Sequence, residues 1–257
     1  MNGLRLALRQ VRYENRAFWR NPAAAFFTFV FPLIFLVIFN LLFGNDELTV
    51  AGGTTNISTF YVAGIAALSV VYTGYTGLAM LVSLAREQGL LKRVRGTPLP
   101  PWAFIAGKLM HATLTMVLLV AVVVTIGAIF YGVDVPTKTM PAFIITLVIG
   151  AAAFSSLGLA ITAGIPNADA APAIVQASSL PLLFISDVFI PPGQAPEWLI
   201  AIANFFPIKH LSEALQTPFN PFEPGYGFEP LHLAVMAAWG GAGVVISLRF
   251  FSWEPKR

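Results

Sequence analysis

The chain has 257 residues, 57% of them hydrophobic and only 11% charged, with a mean hydropathy of +0.76; an ordinary soluble domain carries about 25% charged residues. That balance excludes a water-soluble globular protein and predicts an integral membrane protein. The net charge of +3 does not read as a nucleic-acid footprint, because thirteen of the fifteen basic residues stand beside apolar runs, where they set topology. The absence of cysteine removes disulfides, thiolate metal ligands and thiol nucleophiles.

Residues 1–22 are expected to form a cytoplasmic amphipathic interfacial helix. Arg5, Arg9, Arg12, Arg16 and Arg20 recur at intervals of four, three, four and four, which places them within an arc of about 80° on a helix, with Leu4, Leu8, Val11, Phe18 and Trp19 in the neighbouring arc. The arginines suit lipid phosphates, and Phe18 and Trp19 suit the acyl boundary. The same pattern also reads as an anchor that only fixes topology. Asn21-Pro22 ends the helix. Ala23 to Phe43 is then uncharged throughout, too long for a signal-peptide core of roughly 7–15 residues and long enough to cross about 30 Å of hydrocarbon, so it is a retained first span.

Residues 23–257 are predicted to form one transmembrane domain with spans at about 23–43, 57–84, 109–132, 140–164, 171–190 and 231–249. The fold class is all-α membrane: six transmembrane helices, the N-terminal interfacial helix, and an extracellular re-entrant or interfacial segment before the last helix. An even count puts both termini on one side. The N-terminal segment and the second-to-third loop each hold five basic residues, the tail holds Arg249, Lys256 and Arg257, and only Lys138 and Lys209 fall on the other side. Both termini are therefore expected in the cytoplasm, in a multi-pass protein of the cell membrane. The fifth span is short, interrupted by Pro172 and Pro181 and closed by Asp187. Gly193 to Leu215 mixes apolar residues with Glu197, Asn204, Lys209, His210 and Glu213, a pattern of re-entrant or interfacial chain. Thr217 to Pro230 reads as an irregular linker.

Catalytic and metal motifs are sparse. His111, His210 and His232 are scattered, and only His210 and Glu213 share metal-ligand spacing, so no metal site is expected. No nucleophile elbow or zinc-protease motif occurs, which leaves the catalytic set empty. Asn56-Ile57-Ser58 matches a glycosylation acceptor only weakly. Gly107-Lys108 lacks the phosphate-loop pattern, since Leu109 follows and Trp102 stands in the first glycine's place. The chain is therefore expected to bind no cofactor.

Small polar residues recur in the second span (Ser69, Thr73, Thr76, Met80, Ser83) and the fifth (Gln176, Ser179, Leu183, Ser186) at helical spacing. In hydrocarbon such groups turn toward protein or a wet cavity. They read either as a translocation path or as helix-to-helix hydrogen bonding.

The loop Arg86-Glu87-Gln88-Gly89-Leu90-Leu91-Lys92-Arg93-Val94-Arg95-Gly96-Thr97-Pro98-Leu99-Pro100, with Trp102 and Gly107-Lys108 beyond it, resembles the first cytoplasmic loop of ABC-2 type permeases, the membrane subunits of ABC exporters. The likeness extends to Pro196-Glu197-Trp198, Phe206-Pro207 and Leu211-Ser212-Glu213-Ala214-Leu215, similar to the family's extracellular stretch before the sixth helix. The resemblance implies that Glu87 to Arg95 forms a coupling helix in a groove of a separate ATPase subunit, which would hold ATP and Mg. It also implies a second permease copy or paralogue, with the second and fifth helices lining the path. The residue chemistry is compatible: Leu90, Leu91 and Val94 offer an apolar anchor and Lys92, Arg93 and Arg95 a charged rim. A solvated loop that only enforces topology is the plainer reading. The expected function is export of a drug, lipid, polysaccharide or other amphiphile. The rivals are an ion-coupled secondary transporter, which would usually carry mid-membrane ionisable groups, and a membrane-embedded enzyme.

Overall fold

The computed structural model describes residues 3–44, 46–190 and 196–254. The chain is mostly helical. α1 (Gly3–Trp19) precedes α2 (Pro22–Phe43), whose start is capped by the Asn21 side chain accepting from the Ala24 amide. A short antiparallel hairpin follows, β1 (Glu47–Val50) and β2 (Gly53–Asn56), with Glu47 opposite Asn56 and Val50 opposite Gly53. Its turn needs glycine: Gly52 has φ 100°, and a Cβ there would lie 2.6 Å from that of Phe222, which covers the turn. Among the described residues, this hairpin is the β structure that the reading of the sequence as all-helical leaves out.

α3 (Ile57–Val70) passes through a π-helical stretch, Val71–Gly77, into α4 (Leu78–Glu87). After α5 (Leu90–Arg95) come α6 (Pro101–Tyr131), α7 (Met140–Ile161), α8 (Ala171–Phe184), α9 (Glu197–Phe205), α10 (Pro207–Gln216) and α11 (Pro230–Phe250). Among the described residues, five helices are long and apolar enough to cross a membrane: α2, the continuous run Ile57–Glu87, α6, α7 and α11. α8 has only 14 residues, about 21 Å of helix against a hydrocarbon core of about 30 Å. It stops short of the expected 171–190 because the chain turns out of the helix after Phe184, where Asp187 adopts a left-handed φ of 52°. The Gly193–Leu215 segment resolves into α9 and α10 from Pro196 on. Its first residues and the tail pair Lys256 and Arg257 lie outside the described residues.

The core forms around α3 and α7, whose side chains are mostly enclosed. Val62, Ile65, Val70, Met116, Phe154 and Leu211 are fully or almost fully buried in one continuous cluster. α7 can lie against the π stretch because both surfaces are bare of side chains: a Cβ on Gly158 would sit 2.5 Å from the Gly74 carbonyl oxygen, and one on Gly74 would sit 3.3 Å from the Ser155 amide nitrogen. α2 and α11 are peripheral, with Leu41, Leu42, Val245 and Leu248 exposed. Such outward apolar faces are what lipid covers.

Candidate functional site

The charged loop between the second and third crossing helices folds into a compact platform. Gly89, at φ 69°, occupies the left-handed region that ends α4 and turns the chain into α5. The short helix therefore spans Leu90–Arg95 rather than beginning at Glu87. Its apolar side is also not free: Leu91 is fully buried and Val94 packs with it against Leu78, Val82, Phe104, Leu159, Phe251 and Trp253. Leu90, Lys92, Arg93 and Arg95 remain exposed. Gln88 is exposed beside them. Thr97 closes α5 by donating its hydroxyl to the Val94 carbonyl at 2.7 Å.

Immediately before this turn, Arg86 and Glu87 reach across to the α7–α8 connection. The buried Arg86 guanidinium donates to the carbonyls of Thr162 at 2.9 Å and Ile165 at 2.5 Å, the first at the C-terminal cap of α7 and the second in the turn beyond it. Glu87 accepts from the Ala168 amide just ahead of α8. A cation at one helix's C-terminal end and an anion near the next helix's N-terminus match both macrodipoles. One dipeptide thus ties the end of α4 to two other helices.

α1 docks along the first half of α6. Its contact face runs through Ala7, Gln10, Glu14 and Phe18, not through the leucines, since Leu4 and Leu8 are exposed. Glu14 Oε1 meets Lys108 Nζ at 2.8 Å, with both side chains nearly enclosed. Gly107 makes room, as a Cβ there would lie 2.5 Å from the Gln10 side chain. Phe18 packs edge-on to His111 at 5.6 Å, and Trp19 stacks on Phe29 at 5.9 Å. Arg5, Arg9, Arg12, Arg16 and Arg20 all face outward. The inward face is the side opposite the arginine stripe, and it is stitched by an ion pair that hydrophobic periodicity does not reveal.

The two polar stripes do not stay on one face. Ser69 and Ser179 are buried and donate to their own helices, at Ile65 and Val175; Thr76 is buried, whereas Met80 is turned outward. Thr73 and Gln176 are partly buried. The bridge between these segments comes from residues outside both stripes: Tyr75 and Ser178 join their hydroxyls at 2.8 Å.

At the opposite end of the bundle, near the hairpin, lies a charged cluster. Lys209 on α10 pairs with Asp187 and, at 3.1 Å, with Glu213. Burial works against the Lys209 ammonium, but hydrogen bonds to both carboxylates overcome it and hold the amine above its ordinary value. The Asp187 carbonyl accepts from Ser212 and Gln216 at 2.8 and 2.7 Å, which holds its unusual backbone against α10. His210 and His232 approach to 2.8 Å between their Nδ1 atoms. His232 comes from α11 and was beyond the reach of local spacing, so the fold enlarges the His210/Glu213 pair to three potential ligands.

The apolar, multi-helix bundle agrees with what comparison with known proteins finds. The profile of the ABC-2 type transporter family matches residues 8–219. The chain belongs to the ABC-2 type transporter family. The ABC-2 match runs from residue 8, within α1, through the turn after α10, so it includes α5 and the Arg86–Glu87 link. Among ABC-2 relatives, the daunorubicin resistance ABC transporter permease protein DrrB1 of Streptomyces coeruleorubidus is 29% identical over 211 residues, covering 77% of this chain and 69% of that one. The ycf38 protein of Porphyra purpurea, described as a transport permease, is 25% identical over 240 residues, covering 91% and 79%. The ycf38 protein of Pyropia yezoensis is 28% identical over 201 residues, covering 76% and 67%. ABC-2 membership makes the chain a multi-pass membrane subunit of an ABC transporter, a transport subunit rather than an enzyme.

Proposed function

We propose that this chain is the permease of an ATP-driven exporter, seated on a separate ATPase subunit through the outward face of α5. The observation that carries the reading is the division of α5 into a buried side, Leu91 and Val94, and an exposed side, Leu90, Lys92, Arg93 and Arg95. Buried residues fix the helix to the bundle, so a push on the basic face moves the bundle rather than the loop alone. Arg86 and Glu87 would pass that displacement to α7 and α8, and Glu14–Lys108 would pass it to α1. Moving a two-state balance from 1:99 to 99:1 takes about 5.5 kcal/mol. ATP and Mg belong to the partner in this scheme.

In this reading the α5 end lies in the cytoplasm, with both termini, and the hairpin outside, an orientation that the exposed basic strip supports. α8 then serves as a sixth, short crossing element. Its shortfall is covered by the sheltered turn after it, where Val188 is buried against Gly64. α9 and α10 form the re-entrant segment. A second permease copy completes the path, with the partly exposed Thr73 and Gln176 as its candidate lining, while Ser69, Thr76 and Ser179 pack inside the chain behind them. The name of the Streptomyces relative favours an amphiphilic drug as cargo.

The test is purification of the assembled transporter from its native membrane. An ATPase subunit should accompany the wild type and be depleted severalfold by the joint change Lys92→Glu and Arg93→Glu. Undiminished co-purification and drug-stimulated ATPase in that variant would overturn the reading, as would labelling of Lys92 by an impermeant reagent from outside.

A further inference from the structure

His210, Glu213 and His232 bring their ligand atoms within 4.8 Å of one another where α10 meets the start of α11. We propose that they form a binding site for a zinc-type divalent cation that staples these two helices together. The donor set, two imidazoles and a carboxylate, is one that holds zinc with a fourth position open to water.

The spacing suits such an ion. His210 Nδ1 and His232 Nδ1 are 2.8 Å apart, and His232 Nδ1 lies 3.5 Å from Glu213 Oε2. A tetrahedral ion with bonds of about 2.0–2.1 Å sets its ligand atoms about 3.3 Å apart, so the two rings need part by only a few tenths of an ångström. A 2.8 Å contact between two ring nitrogens requires a proton between them, and a cation can take that proton's place.

The surroundings already aim two of the ligands. His210, only 7% exposed, has its Nε2 2.8 Å from the Asn204 carbonyl oxygen. A carbonyl only accepts, so that nitrogen carries the proton and Nδ1 presents its lone pair to the site. Glu213 gives Oε1 to Lys209 at 3.1 Å, which leaves Oε2 turned toward His232. Lys209 is in turn held by Asp187. Two of the three ligands thus have the second partner that fixes a metal ligand's orientation. The remaining charged neighbour, Lys209, is held by carboxylates on both sides, so the ion would meet a neutralised ammonium.

The site joins a helix of the α9–α10 segment to the last crossing helix, so an ion there resists their separation. It stands independently of the ATPase assignment, because binding is read on the purified chain alone. Titration with Co2+ in detergent should show about one ion per chain with the intense visible bands of tetrahedral coordination, displaced by Zn2+. His210→Ala and His232→Ala should each weaken binding at least tenfold. In this cysteine-free chain, His232→Cys should restore binding and add a sulfur-to-cobalt charge-transfer band, which a folding defect could not mimic. Wild-type binding equal to that of the double variant His210→Ala with His232→Ala would overturn the proposal. So would a His232→Cys protein that binds Co2+ without the charge-transfer band.

Discussion

Glu14 and Lys108 meet at 2.8 Å across the seam between α1 and α6, with their side chains 14% and 8% exposed. Removing one partner leaves the other charge enclosed, at a cost of about 3 kcal/mol, whereas replacing both with apolar residues leaves no orphan. Glu14→Ala should therefore lower the thermal unfolding temperature of the purified protein clearly. The pair Glu14→Leu with Lys108→Met should recover most of the loss. Equal losses in both proteins would show that the seam is held by shape alone.

Arg86 tests the link from α4 to α7. A lysine keeps the charge but cannot present the planar fork that spans the Thr162 and Ile165 carbonyls. Arg86→Lys should cost about 1–3 kcal/mol of stability and, in the assembled transporter, reduce substrate-stimulated ATPase severalfold while leaving basal ATPase in place. Full stimulation in a folded Arg86→Lys protein would remove the residue from the proposed transmission route.

The Lys209 cluster gives a pH dependence with a definite sign. The amine's folded value lies above its ordinary 10.5, so its stabilising contribution is complete below 10.5 and disappears as pH rises through the folded value. The stability gap between wild type and Lys209→Met should accordingly shrink as pH climbs past 10.5. Thermal unfolding from pH 9 to pH 12 measures it; a gap that stays constant contradicts the assignment.

Two glycines should behave oppositely. Gly158→Ala would place a methyl 2.5 Å from the Gly74 carbonyl and 2.7 Å from that of Tyr75, backbone atoms that cannot step aside, so a loss of about 1–3 kcal/mol is expected. Gly241→Ala meets nothing within 4 Å and should be neutral or stabilising by up to about 1 kcal/mol. Unfolding midpoints of the two proteins provide the comparison.

Gln176→Leu should change which amphiphiles are exported without changing yield, if this partly buried amide meets cargo. Export profiles across several drugs decide it, and an identical profile makes Gln176 a packing residue.

The long apolar runs were legible because twenty or so uncharged residues have few other solutions, and α2, α7 and α11 lie close to where hydropathy puts them; α6 begins at Pro101 rather than near 109, because a proline opens it and the end of the charged loop continues as helix. The position of α5 was legible to within three residues, but its orientation was not. Leu91 and Val94 look like a partner's anchor in one dimension and turn out to be occupied by Phe104 and Trp253. Glu14, Lys108 and His232 were missed for a common reason: each is defined by a partner on another helix, and periodicity within one helix carries no information about that. The hairpin was hidden because Leu48, Thr49 and Val50 make too short a run to separate from loop.

The π stretch Val71–Gly77 has a geometric corollary for the whole bundle. Wider turns hold a surplus residue, and one residue corresponds to about 100° of rotation in an ordinary helix, so the stretch acts as a phase shifter between Ser69 and Arg86. Whatever points inward above it is aimed differently below it. Were the stretch to tighten into ordinary α-helix, everything beyond it would turn as one piece, and Arg86 would sweep its grip around the foot of α7.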